Sequence, residues 1–264
     1  MFAIEELRLR DWKPRAQLRT TRTEVPLPSV PCIDAHNHLG RWLCEDGYWI
    51  VPEVGDLVAM MDARHVETIV NLDGMAGAEL EANLDRLDRA HPGRFLTFCQ
   101  LDWAMLAGPD GVRGLIRQLE DSARRGARGV KVWKTLGLTY RDRTGALVRL
   151  DDPRVVEVLG RAGELGLPVL IHTADPIAFF KPLDEYNERL DELAGQPDWW
   201  FGDRSRYPSF DALLDAHAQL VLACPQTTFV GVHVGCCAED LARVVVKNRR
   251  NGVQSVVQPT TYDH

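Results

Sequence analysis

The sequence predicts an α/β protein of the (β/α)8 TIM-barrel type, truncated after six or seven strands. Three observations predict it. From residue 31 onward, short apolar runs alternate with amphipathic helical stripes, and strict alternation of that kind implies a parallel sheet. Strands of a parallel sheet are covered on both faces and read as nearly all apolar. Here the polar exceptions fall at the C-terminal ends of the runs, where such a barrel carries its functional residues. Finally, no glycine-rich phosphate loop follows the first run, which argues against the rival doubly wound sheet.

The elements follow in order. Six runs with the length and β-branched content of buried strands cover residues 31–39, 67–72, 94–102, 127–134, 168–173 and 227–234. Val54, Leu57, Val58 and Met61 form the first helical stripe, with Pro52 suited to its first turn. Leu80, Leu84 and Leu87 form the second. Val112, Leu115, Ile116 and Leu119 form the third, closed by Gly126. Asp152 and Pro153 open the fourth, whose buried face is Val155, Val158, Leu159 and Ala162, with Gly166 past its end. Ser209 caps the fifth, marked by Phe210, Leu213, Leu214 and Val221. Leu241, Val244 and Val245 mark a sixth.

Residues 1–30, rich in Arg, Thr and Pro, read as a leader before one domain over 31–264. Residues 175–208 form a long insertion after the fifth run, with Phe179, Phe180, Tyr186, Trp199 and Trp200. It reads either as an aromatic substrate lid or as a loop packed on itself.

A chain of 264 residues with 45 % hydrophobic content can build one sizeable core. Its net charge of −7 argues against a nucleic-acid partner, and the basic run at 247–250 is too short to change that. No apolar run approaches the roughly 20 residues of a membrane helix, and the N-terminus lacks the apolar core of a signal peptide. The six cysteines (Cys32, Cys44, Cys99, Cys224, Cys236 and Cys237) show neither CxxC nor finger spacing. Reduced thiols in a cytoplasm and a small-molecule partner are the expectation.

Alternation along the first strand puts Asp34, His36 and His38 on one face, with Ile33, Ala35 and Leu39 toward the helices. Two imidazoles so placed can share one cation, although the pair alone is a weak pattern. Context strengthens it. His172 and His233 close the fifth and sixth runs, in phase with the lumen. Four imidazoles from three strand ends then converge on one mouth, and histidine is the commonest ligand of a borderline metal such as zinc. On the fourth run Val130 and Val132 face outward, so Lys131 faces inward. A buried ammonium is costly, and Lys131 needs a carboxylate (Asp34, Asp73 or Asp102), a substrate anion or a chemical modification. Lys134 reads as an exposed surface lysine. His65 and His91 sit near helix ends and His217 lies within a helix. Cys236 and Cys237 read as packing thiols or as soft ligands.

At these residues the sequence resembles the amidohydrolase superfamily, in particular its amidohydrolase-related branch of metal-dependent hydrolases and non-oxidative decarboxylases. The matching segments are Ile33-Asp34-Ala35-His36-Asn37-His38-Leu39-Gly40, Gly129-Val130-Lys131-Val132-Trp133, Pro168 to Asp175 around His172, and Phe229 to Gly235 around His233. They stand in the family's order and span residues 31 to about 247. The resemblance implies a distorted barrel with a divalent metal, Zn2+ or Mn2+. His36, His38 and His172 would be its ligands, and His233 would polarise bound water or substrate. Lys131 stands where two-metal members carry a carboxylated lysine, and it otherwise suits an acidic substrate, as does Arg41. The implied reaction is hydrolysis of a C–N or C–O bond by metal-activated water. Decarboxylation of an aromatic or enoic acid is the alternative.

One departure bears on activity. The family carries an aspartate at the end of an eighth strand. Here residues 253–258 read as a seventh strand, within an atypical polar tail at 248–264, and no room remains for an eighth. Asp240 belongs to a helix, and Asp263 lies beside the terminus. The expectation is therefore a shortened or frame-shifted member. Its barrel would be open, with strand edges that invite homo-oligomer formation. An inactive member is the third reading.

Overall fold

A computed structural model describes residues 7–15, 24, 26–44, 46–174 and 176–233. The expected sixth helix, Asp240, the seventh strand at 253–258, Asp263, Cys236 and Cys237 lie outside the described residues. The strands are β1 (Cys32–Asn37), β2 (Val66–Asn71), β3 (Phe95–Thr97), β4 (Cys99–Gln100), β5 (Val130–Val132), β6 (Val169–Ile171) and β7 (Phe229–Gly231). The helices are α1 (Val54–Ala63), α2 (Gly77–Leu84), α3 (Gly111–Arg125), α4 (Pro153–Glu164), α5 (Leu190–Gly195) and α6 (Phe210–Ala223). Every strand pairing is parallel, in the orders β1-β2-β3 and β4-β5-β6-β7.

The expected single strand at 94–102 is broken at Phe98. Its amide donates to Asn71 O at 2.8 Å, toward β2, whereas the next amide, Cys99 N, donates to Gly129 O at 2.9 Å, toward β5. The chain changes partner within one residue, as the stagger of a barrel demands. β3 and β4 thus act as one barrel strand, and the described sheet is a six-stranded barrel wall running from β1 round to β7. No described helix is long and apolar enough to cross a membrane.

Local signals set the helix ends. Asp152 accepts the Arg154 amide at 2.9 Å at the start of α4, and Ser209 Oγ accepts the Ala212 amide at 3.1 Å at the start of α6. Gly126 closes α3 at φ 118°, a conformation that favours glycine. Two starts and stops differ from expectation. Pro52 precedes α1 rather than entering it, because Glu53 is the cap residue. The second helix continues past Leu84 as a π-helical turn over Asp85–Arg89, which keeps Leu87 buried.

Side chains sort into an outer and an inner layer. Val130, Val132, Val169 and Ile171 point outward and pack with Leu115, Leu119, Val155, Val158, Leu159 and Leu220 of the helices. Each fully buried aliphatic side chain of this kind contributes about 1.5–3 kcal/mol. Val70, Leu72, Phe98, Leu170 and Val232 form the inner cluster that fills the lumen. Gly129 allows it, since a Cβ there would stand 2.4 Å from the Phe98 ring.

The outer face of β1 departs from expectation. Ile33, expected to face a helix, is 60 % exposed, and Ala35 is exposed too, while Leu39 is buried against α1. The insertion at 175–208 carries short helices and builds its own cluster from Phe179, Leu193 and Phe201 with Phe210 and Leu213 of α6. Phe179, Phe180 and Trp200 thus pack within the insertion, while Tyr186 and Trp199 are exposed. Lys134 is not an exposed surface lysine. It is half-buried, with Nζ 4.6 Å from the centre of the Phe179 ring, and helps seat the insertion on the barrel rim.

Candidate active site

The C-terminal ends of β1, β5, β6 and β7 bring the four histidines and the lysine of interest to one mouth. Ring centres lie 5.4 Å apart for His36 and His38, 5.7 Å for His36 and His233, and 4.8 Å for His172 and His233. Lys131 is buried, with Nζ 5.0 Å from the centre of the Trp133 ring. Trp133 stands edge-on between His38, at 5.6 Å, and His172, at 5.4 Å, and meets Trp42 at 5.3 Å.

His36, His38 and His172 arrive by strand alternation. His233 does not. Val232 occupies the inner phase of the last strand, in the lumen cluster. His233 reaches the mouth because its backbone turns to φ 52°, a left-handed conformation uncommon outside glycine. The site is therefore built from three strand ends and one strained turn.

A polar lattice fixes the end of β1. Asp34 accepts the His36 amide at 3.1 Å and the Asn37 side chain at 2.8 Å. Asn71, fully buried on β2, accepts the amides of Leu39 at 3.1 Å and Asp73 at 3.2 Å. Its own amide donates to Asn83 Oδ1 at 3.1 Å. Asp73, also fully buried, lies 2.6 Å from His38 Nδ1 and accepts the Gly40 amide at 3.1 Å and the Trp42 indole N–H. Of the carboxylates considered for Lys131, Asp73 is engaged by His38, and Asp102 caps the 3-10 turn at Trp103–Ala107. Arg41 forms an ion pair with Glu79 at 2.7 Å and lies over Trp49.

Electrostatics favour a neutral His36 ring. Burial, then the positive charge of Lys131, then His38 and His233, push His36 down to about 4, with Asp34 pulling weakly the other way. Neutral imidazole is the form that binds metals. Ligand nitrogens roughly 2.0–2.1 Å from one ion put ring centres about 5 Å apart, close to the spacings here. Among the described residues no three His, Cys, Asp or Glu groups meet at one ion position. Ion binding thus requires ring rotations from this geometry. Donor type and spacing fit a divalent cation, while the Lys131 ammonium works against it.

Sequence reasoning placed the histidines and Lys131. It missed the pairing of Asp73 with His38 and the Trp42 wall. The available signal was a carboxylate just past an apolar strand, at the same end as the histidines.

An open, parallel β/α barrel wall with histidines at its C-terminal mouth defines the class of protein. The sequence profile of the amidohydrolase family matches residues 33–245, and the chain belongs to that family. No curated protein matches it. Among solved structures, similar folds include 2,6-dihydroxybenzoate decarboxylase from Rhizobium, at 15 % identity and TM-score 0.51, over 87 % of this chain and 76 % of that one. A dihydroxybenzoic acid decarboxylase from Polaromonas sp. JS666, with bound manganese and the inhibitor 2-nitroresorcinol, is 15 % identical at TM-score 0.52, over 87 % and 74 %. A candidate amidohydrolase from Staphylococcus aureus is 16 % identical at TM-score 0.51, over 88 % and 74 %.

Proposed function

We propose that this chain is a metal-dependent enzyme that acts on a small acidic substrate. His36, His38 and His172 would hold one divalent cation, Zn2+ or Mn2+, with His233 as the catalytic group beside them. The convergence of four imidazoles from the ends of β1, β6 and β7 carries this reading. The manganese named in the Polaromonas structure supports a divalent ion.

A bound cation supplies Lewis-acid polarisation of a substrate oxygen and a lower pKa for water. The chain's own residues do the rest. Lys131 attracts a substrate carboxylate from within the lumen. Trp133 and Trp42 present indole surfaces that orient a flat substrate and exclude water. His233 holds or releases a proton at the reacting atom. Such indole walls suit decarboxylation of a flat aromatic or enoic acid, and the Rhizobium and Polaromonas proteins are named as decarboxylases of dihydroxybenzoates. Hydrolysis of a C–N or C–O bond is the second reading, supported by the place of His233 beside His36 and His172, where it would take a proton from water.

Metal content decides the first point. After incubation with Zn2+ or Mn2+ and desalting, the parent chain should retain about one ion per chain, and the His36→Ala/His38→Ala variant less than a tenth of that. A parent chain free of metal overturns the proposal. Product analysis on a panel of hydroxybenzoates and of their amides and esters decides the second, with carbon dioxide release marking the lyase. Metal retained without turnover on any substrate would mark an inactive member.

A further inference from the structure

We infer that Asp73 is a positioning residue that sets the tautomer of His38 and ties the Trp42 indole to the same anchor. The inference rests on the reading above, in which His38 is a ligand. Asp73 is completely buried. A buried carboxylate needs several donors, and three groups reach it: His38 Nδ1 at 2.6 Å, the Gly40 amide at 3.1 Å and the Trp42 indole N–H. An ionised carboxylate only accepts, so the proton of neutral His38 sits on Nδ1, and the Nε2 lone pair is left for the mouth. The carboxylate is itself held, because the Asp73 amide donates to Asn71 Oδ1 at 3.2 Å.

The close approach depends on a glycine. A Cβ on Gly40 would stand 2.5 Å from the Asp73 Cβ, so only glycine lets the loop after β1 lie against Asp73. One carboxylate therefore couples three things: the ring of a first-strand histidine, the path of the loop that follows it, and an indole wall of the mouth. Carboxylate partners of this kind orient a ligating histidine and raise its basicity, and losing one typically costs 10–100-fold in metal affinity.

Two measurements test it. The first uses the metal-free parent chain with 15N-labelled histidine. Long-range 1H–15N spectra should show His38 as the Nδ1–H tautomer, and the Nε2–H tautomer would overturn the inference. The second is a double-mutant cycle read as the Zn2+ dissociation constant. Asp73→Asn alone should weaken binding 10–100-fold, yet change it less than threefold in a His38→Ala background. Equal losses in both backgrounds would make Asp73 a general structural residue and overturn the inference. Unchanged binding in Asp73→Asn, with loss in His38→Ala, would overturn it too. Unchanged binding in His38→Ala would instead defeat the ligand assignment and leave the tautomer result standing. Trp42→Phe, which removes only the indole donor, should keep the Nδ1–H tautomer.

Discussion

His217 sits on α6, away from the mouth, and burial alone lowers its pKa to about 4. A histidine depressed in the folded state is stabilising only while it stays neutral. Its unfolded form titrates at 6.5. Its contribution is therefore full above that pH and is lost as pH falls from 6.5 toward 4. The loss at the acid end is at most ~3 kcal/mol. His36 has the same sign in the metal-free chain. His217→Gln should thus remove about half of the histidine-linked acid destabilisation. Urea unfolding of metal-free protein at pH 7 and at pH 4.5 checks this, and an unchanged difference between the two pH values would refute it. At this scale the sequence was readable where chemistry is local. His36 and His38 announce a shared face by their spacing, and His172 and Lys131 by strand phase. His233 was placed at the mouth for the wrong reason, since its φ of 52° depends on a turn that alternation does not encode. The link from His38 to Asp73 spans 35 positions and exists only once β1 and β2 pair.

Among the elements, β1, β2 and α2 meet at Asn71. Its side chain holds the amides of Leu39 and Asp73 and donates to Asn83. Asn71→Ala would leave two backbone donors and the Asn83 oxygen buried without their partner. Each such orphan costs about 1–3 kcal/mol, so the variant should lose at least about 3 kcal/mol in urea unfolding. Asn83→Ala, which spares both backbone amides, should lose less. Equal losses would show that the amides find other acceptors. The helix ends were legible because caps act within a few residues: Asp152, Ser209 and Gly126 do what their types predict. The break at Phe98 was not, because it reflects which neighbouring strand each amide meets. Nor was the fate of Lys134, whose aromatic partners come from an insertion some 45–67 positions away.

At the scale of the whole molecule, the barrel wall is covered unevenly. Among the described residues, helices lie over β2, β5 and β6 and bury Ile69, Val130, Val132, Val169 and Ile171, while the outward face of β1 carries Ile33 at 60 % exposure. Two isoleucines on neighbouring strands make this a quantitative contrast. Ile69 of β2, 4 % exposed, packs with Val54, Leu57 and Met61 of α1. Truncating a buried isoleucine to alanine removes its transfer energy and leaves a cavity, at a cost of about 2–5 kcal/mol. Truncating an exposed strand isoleucine costs about 1 kcal/mol or less, the span of β-propensity. Ile69→Ala should therefore lower unfolding free energy by at least about 2 kcal/mol more than Ile33→Ala. Both variants should be compared by urea unfolding at several protein concentrations. A cost for Ile33→Ala that equals that of Ile69→Ala and rises with concentration would mean that a second copy covers β1 in solution. A cost that is small at every concentration leaves β1 an exposed flank of a barrel wall held together by its covered strands.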